Sequence, residues 1–160
     1  MKIDQLAFYA ADEIAIDQIK IDLNLRNAEW VKDIATGNSR VALNGEFKQG
    51  VNVAELQFNY DLGIEVEIIR YLSGPHWHEN SLPQRKFLSH IGVHLDDGEP
   101  FPIMRHSRVV QDTQTTKHTS HYLTHPDSPG YMRTYHYRIY EMGPGLYIKY
   151  IKRITPNVSR

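Results

Sequence analysis

Two stretches of this sequence carry side chains whose types and spacing suit chemistry. The first is Phe87-Leu88-Ser89-His90-Ile91-Gly92-Val93-His94-Leu95-Asp96-Asp97. Alternate residues of an extended chain share a face, so Leu88, His90, Gly92 and His94 point one way and Ser89, Ile91, Val93 and Leu95 the other. A strand that packs on a core by one side and offers neutral imidazole nitrogens on the other can serve a metal. The second stretch is Ile64 to Leu72, where Glu65 and Glu67 share a face with Ile69 and Tyr71. Aligned carboxylates in a mostly apolar strand are unusual enough to mark a candidate site, and the alternative is an ordinary solvated face.

The remaining histidines suggest less. His76-Trp77-His78 falls in a connection with Gly74, Pro75 and Pro83, which reads as a surface loop with incidental histidines. His118, His121 and His125 fall in a polar loop, and their spacing matches no full zinc-ligand set. The chain has no cysteine, which excludes disulfides, thiolate metal sites and thiol nucleophiles.

The 160 residues suffice for a hydrophobic core without covalent staples. No stretch approaches the roughly 20 apolar residues of a membrane helix, and Met1-Lys2-Ile3-Asp4-Gln5 lacks the apolar run of a signal peptide. A soluble, cytoplasmic protein is expected. The net charge of −1 conceals an asymmetry: residues 1–100 hold 9 Lys and Arg against 16 Asp and Glu, and residues 101–160 hold 9 against 3. The basic end either complements the acidic half or attracts an anion. No nucleic-acid recognition motif accompanies it, so nucleic acid is not expected as a partner.

Strands must position these residues. Ile3 to Tyr9 alternates, with Gln5 facing the same way as Ala7 and Tyr9, and Asp12 caps a helix with Ile16, Ile19 and Leu23 on one stripe. Ala28 to Ile34 reads as a strand ended by Thr36-Gly37-Asn38-Ser39, with a short one from Arg40 to Leu43. Val51 to Tyr60 turns through Asp61-Leu62-Gly63 into Ile64 to Leu72. After the connection and the opening strand at Phe87, Glu99 to Arg105 suggests a short helix begun by proline. Arg108 to Thr116 and Tyr131 to Met142 are strands, and Gly143-Pro144-Gly145 turns the latter into Leu146 to Ile154. Tyr135 and Tyr137 share a face with Arg133, and Lys149 shares one with Tyr147 and Ile151.

The two halves read alike: strand, helix, then three strands ending in a hairpin. Gly63-Ile64-Glu65-Val66-Glu67-Ile68-Ile69-Arg70 matches Gly145-Leu146-Tyr147-Ile148-Lys149-Tyr150-Ile151-Lys152, and Gln5-Leu6-Ala7-Phe8 matches His90-Ile91-Gly92-Val93. Gln5 thus corresponds to His90, and Glu67 to Lys149. The predicted fold class is α+β, two βαβββ modules over 1–72 and 87–160 joined by 73–86, in one strongly curved mixed sheet that encloses a cavity.

On these residues the chain resembles the vicinal oxygen chelate superfamily of glyoxalases, fosfomycin-resistance enzymes, extradiol dioxygenases and bleomycin-resistance proteins. The resemblance implies a divalent metal ion (Zn, Ni, Mn or Fe) on Gln5, Glu67 and His90. A small oxygen-chelating substrate would then meet His94, Arg133, Tyr135, Tyr137 and Lys149 in lyase, isomerase or oxygenase chemistry. Lys149 departs from the family pattern, because a protonated amine cannot ligate and repels a cation. Four outcomes stay open: a three-residue site completed by water, a shift to His94 or Glu65, a Glu67–Lys149 ion pair without metal, or a metal-free small-molecule binding protein of the bleomycin-resistance type. A homodimer that exchanges modules is also compatible with this family likeness.

Overall fold

A computed structural model describes residues 2–81, 83–119 and 132–154. Eight strands form the framework: β1 (Lys2–Ala10), β2 (Val31–Leu43), β3 (Glu46–Asn59), β4 (Glu65–Ser73), β5 (Lys86–His94), β6 (Arg108–Thr119), β7 (Met132–Gly143) and β8 (Leu146–Arg153), with one α-helix, α1 (Glu13–Asp22), and a 3-10 helix over Trp77–Ser81. The sheet closes into a barrel in the order β1-β4-β3-β2-β6-β7-β8-β5. β1/β4 and β5/β8 are parallel, and every other neighbouring pair is antiparallel. Eight strands leave an interior just wide enough for side chains to fill. The predicted curved mixed sheet is therefore present as a closed barrel, with less helix than predicted. No helix among the described residues is long and apolar enough to cross a membrane.

Helix α1 forms where its cap lies: Asp12 accepts a hydrogen bond from Ala15 N at 2.9 Å, satisfying one of the first-turn donors. Ala15, Ile16 and Ile19 bury against Ala10, Ile68 and Phe8 on the outer side of β1 and β4. The helix expected over 99–105 is absent: residues 95–107 take no regular structure. Pro100 and Pro102 remove backbone donors on either side of Phe101. The segment still covers the outside of the barrel, because Phe101 and Met104 pack against Val93, Leu95, Tyr140 and Tyr150.

The break expected at residues 36–39 does not occur either; β2 runs straight through Gly37. Glycine suits this position because a Cβ there would stand 2.7 Å from Asn52 Oδ1 and from Thr113 Cγ2. The space goes to an internal polar cluster, in which Asn52 Nδ2 donates to Ser39 Oγ at 2.9 Å and Ser39 and Thr113 share a hydrogen bond of 2.8 Å. Sequence composition signals a turn here, whereas pairing of β2 with both β3 and β6 over its length holds an extended strand.

The connection after β4 is a plug and not a surface loop. His76, Trp77 and His78 are all buried. Trp77 N donates to Gln111 Oε1 at 2.9 Å, and Asn52 Nδ2 donates to Pro75 O at 2.8 Å. Trp77 joins Leu43, Val110, Ile139 and Ile151 in one cluster, while the two imidazoles stack with Tyr9 and Tyr71. The interior is thus apolar in its bulk and threaded by amides and hydroxyls that bond one another.

Candidate functional site

Four adjacent strands, β4-β1-β5-β8, carry the polar residues that the sequence singles out. Gln5 of β1 is flanked by Glu65 on β4 and Gly92 on β5; one step along, Ala7 is flanked by Glu67 and His90. Lys149 on β8 stands beside Gly92. Gly92 makes room for this grouping, since a Cβ there would stand 2.5 Å from Gln5 Cβ. β5 pairs Ala7 with His90 but Phe8 with Leu88. This bulge departs from simple alternation and brings both Ser89 and His90 into the buried interior.

These side chains form a continuous chain of hydrogen bonds across the barrel. Gln5 Nε2 donates to Glu65 Oε2 at 2.5 Å, which leaves Gln5 Oε1 facing His90 Nε2 at 2.9 Å. That nitrogen must carry the proton and donate, so His90 Nδ1 accepts from the Ser89 hydroxyl at 2.8 Å. Ser89 Oγ in turn accepts from His78 Nε2 at 2.6 Å. His78 Nδ1 ends the chain, buried and without a hydrogen-bond partner among the described residues.

The electrostatics favour neutral imidazoles and an ionised Glu65. Burial, then Lys149, His78 and Lys117, push His90 well below the ordinary imidazole value. Burial, then His76 and Lys149, push His78 down to about 3. Burial alone would raise the Glu65 carboxyl, but Lys117, His94 and the bonds from Gln5 and Tyr60 outweigh it and hold it below the usual carboxylate range.

Glu67 lies at the centre, fully buried, with no hydrogen-bond partner among the described residues on either carboxylate oxygen. Lys149 Nζ is 3.8 Å from Glu67 Oε1, and His90 Nε2 is 3.9 Å from the same oxygen. The ammonium also sits 4.2 Å from the Tyr137 ring centroid. Burial lowers the Lys149 pKa and Glu67 works against that shift. A divalent ion bound at the usual 2.0–2.2 Å sets its donors roughly 3 to 4 Å apart. The 2.9 Å between Gln5 and His90 and the 3.9 Å between His90 and Glu67 both fall within the span of donors around one ion, but the nearby Lys149 amine does not suit it. As arranged, the set suits an internal ammonium better than a divalent ion. The space at this centre is about 30 Å³, lined by Glu67, Tyr71, Lys117, Tyr135, Tyr137 and Lys149 among others. That admits one or two waters and no organic substrate.

A larger pocket of about 430 Å³ opens at the barrel end away from the plug. Lys2, Asp4, Asp33, Glu65, Asp97, Lys117 and Arg153 are its charged residues, His94 stands among them, and Phe58, Tyr60, Ile64, Leu95, Tyr135 and Ile151 form its apolar wall. Lys117, Tyr135 and Ile151 line both this pocket and the small inner space. His94 Nδ1 is 2.7 Å from Asp4 Oδ1.

The structure brings Gln5, Glu67, His90, Tyr137 and Lys149 together inside the barrel and puts His94 and Tyr135 at the end pocket. Arg133 holds a β7 position opposite Lys117; its side chain lies outside the described set. His118 belongs to β6 and not to a loop, while His121 and His125 lie outside the described residues. Sequence reasoning missed Lys117, Asp4 and the Ser89–His78 link. Lys117 was within reach, since Gln111, Thr113 and Thr115 alternate inward on β6 and the next position in that series is Lys117. His78 was not, because nothing local marks a Gly/Pro-flanked connection as a plug. Compared with known proteins, the chain matches no family model, no curated protein and no solved structure.

Proposed function

We propose that this protein is a metal-independent small-molecule binding barrel of the vicinal oxygen chelate type, akin in function to the bleomycin-resistance proteins. The observation that carries this reading is the Lys149 amine 3.8 Å from the buried Glu67 carboxylate, a basic side chain where the resemblance implies a metal. The ligand occupies the end pocket, whose 430 Å³ falls within the range of small-molecule sites.

A strand order that repeats between the two halves supports the family likeness. Within each half the strands lie in the same order, β1-β4-β3-β2 and β5-β8-β7-β6. The register repeats as well. Two residues after Gln5, Ala7 pairs with Glu67; two residues after His90, Gly92 pairs with Lys149. In this reading residues 95–107 stand where the second module would carry its helix.

The competing reading is a metal-dependent lyase or dioxygenase. It is favoured by the two Glu67 oxygens that no described residue hydrogen-bonds. The two are separated by purifying the protein without a His-tag, supplementing it with Zn, Ni, Mn or Fe(II), and measuring metal content. The binding reading expects no stoichiometric ion and ligand-induced thermal stabilisation in metal-free buffer. One tightly held ion per chain would overturn it.

A further inference from the structure

We infer that the ligand of the end pocket is an organic anion whose acidic group docks on Lys117, an assignment that rests on the binding function proposed above. The carboxylates of this pocket are largely engaged. Asp4 meets His94 at 2.7 Å, and Glu65 accepts from Gln5 at 2.5 Å and from Tyr60 at 3.0 Å. Asp33 and Arg153 also have partners, and Asp97 and Lys2 stand exposed at the rim.

Lys117 differs from all of these. Its side chain points into the barrel end, half-buried, and among the described residues its ammonium makes no hydrogen bond or close ion pair, although its charge acts at longer range on Glu65. It is held instead between two ring faces, 4.8 Å from the Phe58 centroid and 5.0 Å from that of Tyr135. Ring faces attract a cation but accept none of its N–H bonds in the way an oxygen does. A half-buried ammonium with free donors is what a carboxylate or phosphate oxygen satisfies. Leu95, Ile151 and Tyr60 on the same pocket offer apolar surface to the body of such a ligand, and a flat ring suits the aromatic wall. Carboxylate and phosphate share this chemistry, and the probes below separate them.

The test titrates the full chain with benzoate, phenyl phosphate, benzamide and benzylamine, reading affinity by calorimetry and location by NMR shifts at Phe58, Tyr60 and Tyr135. Benzoate or phenyl phosphate is expected to bind about tenfold or more tightly than benzamide, as a charge-assisted bond implies, and whichever of the two binds better identifies the acidic group. Lys117→Met should abolish that preference and Lys117→Arg retain it. Added salt should weaken binding of the anions and leave benzamide unchanged, a readout that stands even if Lys117→Met fails to fold. Equal or tighter binding of benzamide or benzylamine in this pocket overturns the anion assignment while leaving the binding function intact. Silence from all four probes also overturns it, whereas the binding function itself falls to the metal analysis.

Discussion

Lys149 Nζ and Glu67 Oε1 lie 3.8 Å apart inside a closed barrel, on strands that do not neighbour each other in the sheet. Each is the other's compensation. Among the described residues the carboxylate has no hydrogen bond, so the Lys149 amine offsets much of the cost of burying it.

Lys149→Met should therefore destabilise the protein by about 3–5 kcal/mol, the usual cost of leaving one buried charge without its partner. Adding Glu67→Gln to Lys149→Met should recover much of that loss. Urea denaturation of the two single variants and the double variant measures the coupling. Additive losses would show that the two charges do not interact.

Acid should weaken the plug. Burial lowers His76 from 6.5 to about 4 and His78, with help from His76 and Lys149, to about 3. Below pH 6.5 the unfolded chain takes up these protons first, so stability present in full above 6.5 is lost as pH falls towards 4 and levels off near 3. Melting curves from pH 7.5 to 4 should show a steeper decline for the natural chain than for a His76→Gln, His78→Gln variant.

Gly92→Ala places a methyl group against the Gln5 side chain. The amide must move, which breaks its bonds to Glu65 and His90 together. A loss of about 1–3 kcal/mol is expected from overpacking of this kind. Gly92→Ala combined with Gln5→Ala should lose less than the sum of the two single variants.

The hydrogen-bond chain fixes the histidine tautomers. His90 and His78 should both be neutral with the proton on Nε2, because each donates from that nitrogen and His90 accepts at Nδ1. Long-range proton–nitrogen NMR spectra at pH 7 report this directly. Protonated Nδ1 on His90 would show that the Gln5 amide is turned the other way.

Alternation and turn chemistry were legible in the sequence. They placed β1, β4, β7 and β8, the Asp12-capped helix and the grouping by face of Glu67, Tyr135, Tyr137 and Lys149 with their neighbours. The errors came where local signals met tertiary demands. Thr36-Gly37-Asn38-Ser39 has turn composition, yet it runs as strand because pairing on both sides and a close approach by Asn52 hold it extended. Glu99 to Arg105 has a proline-led start but no apolar stripe, and it packs as irregular chain. The bulge at Ser89 could not be read at all, because a register slip is a property of two strands and not of one.

By itself the sequence determined which residues share a face on most strands, because an extended chain alternates its side chains whatever surrounds it. Only the tertiary structure decided what those residues meet. Closure of β2 on β6 leaves too little inner space for a substrate. Burial brings His76, Trp77 and His78 in as a plug, and the crossing of strands sets Lys149 beside Glu67. Such distances between residues far apart in the chain follow from how the sheet curves and closes, which no local pattern encodes.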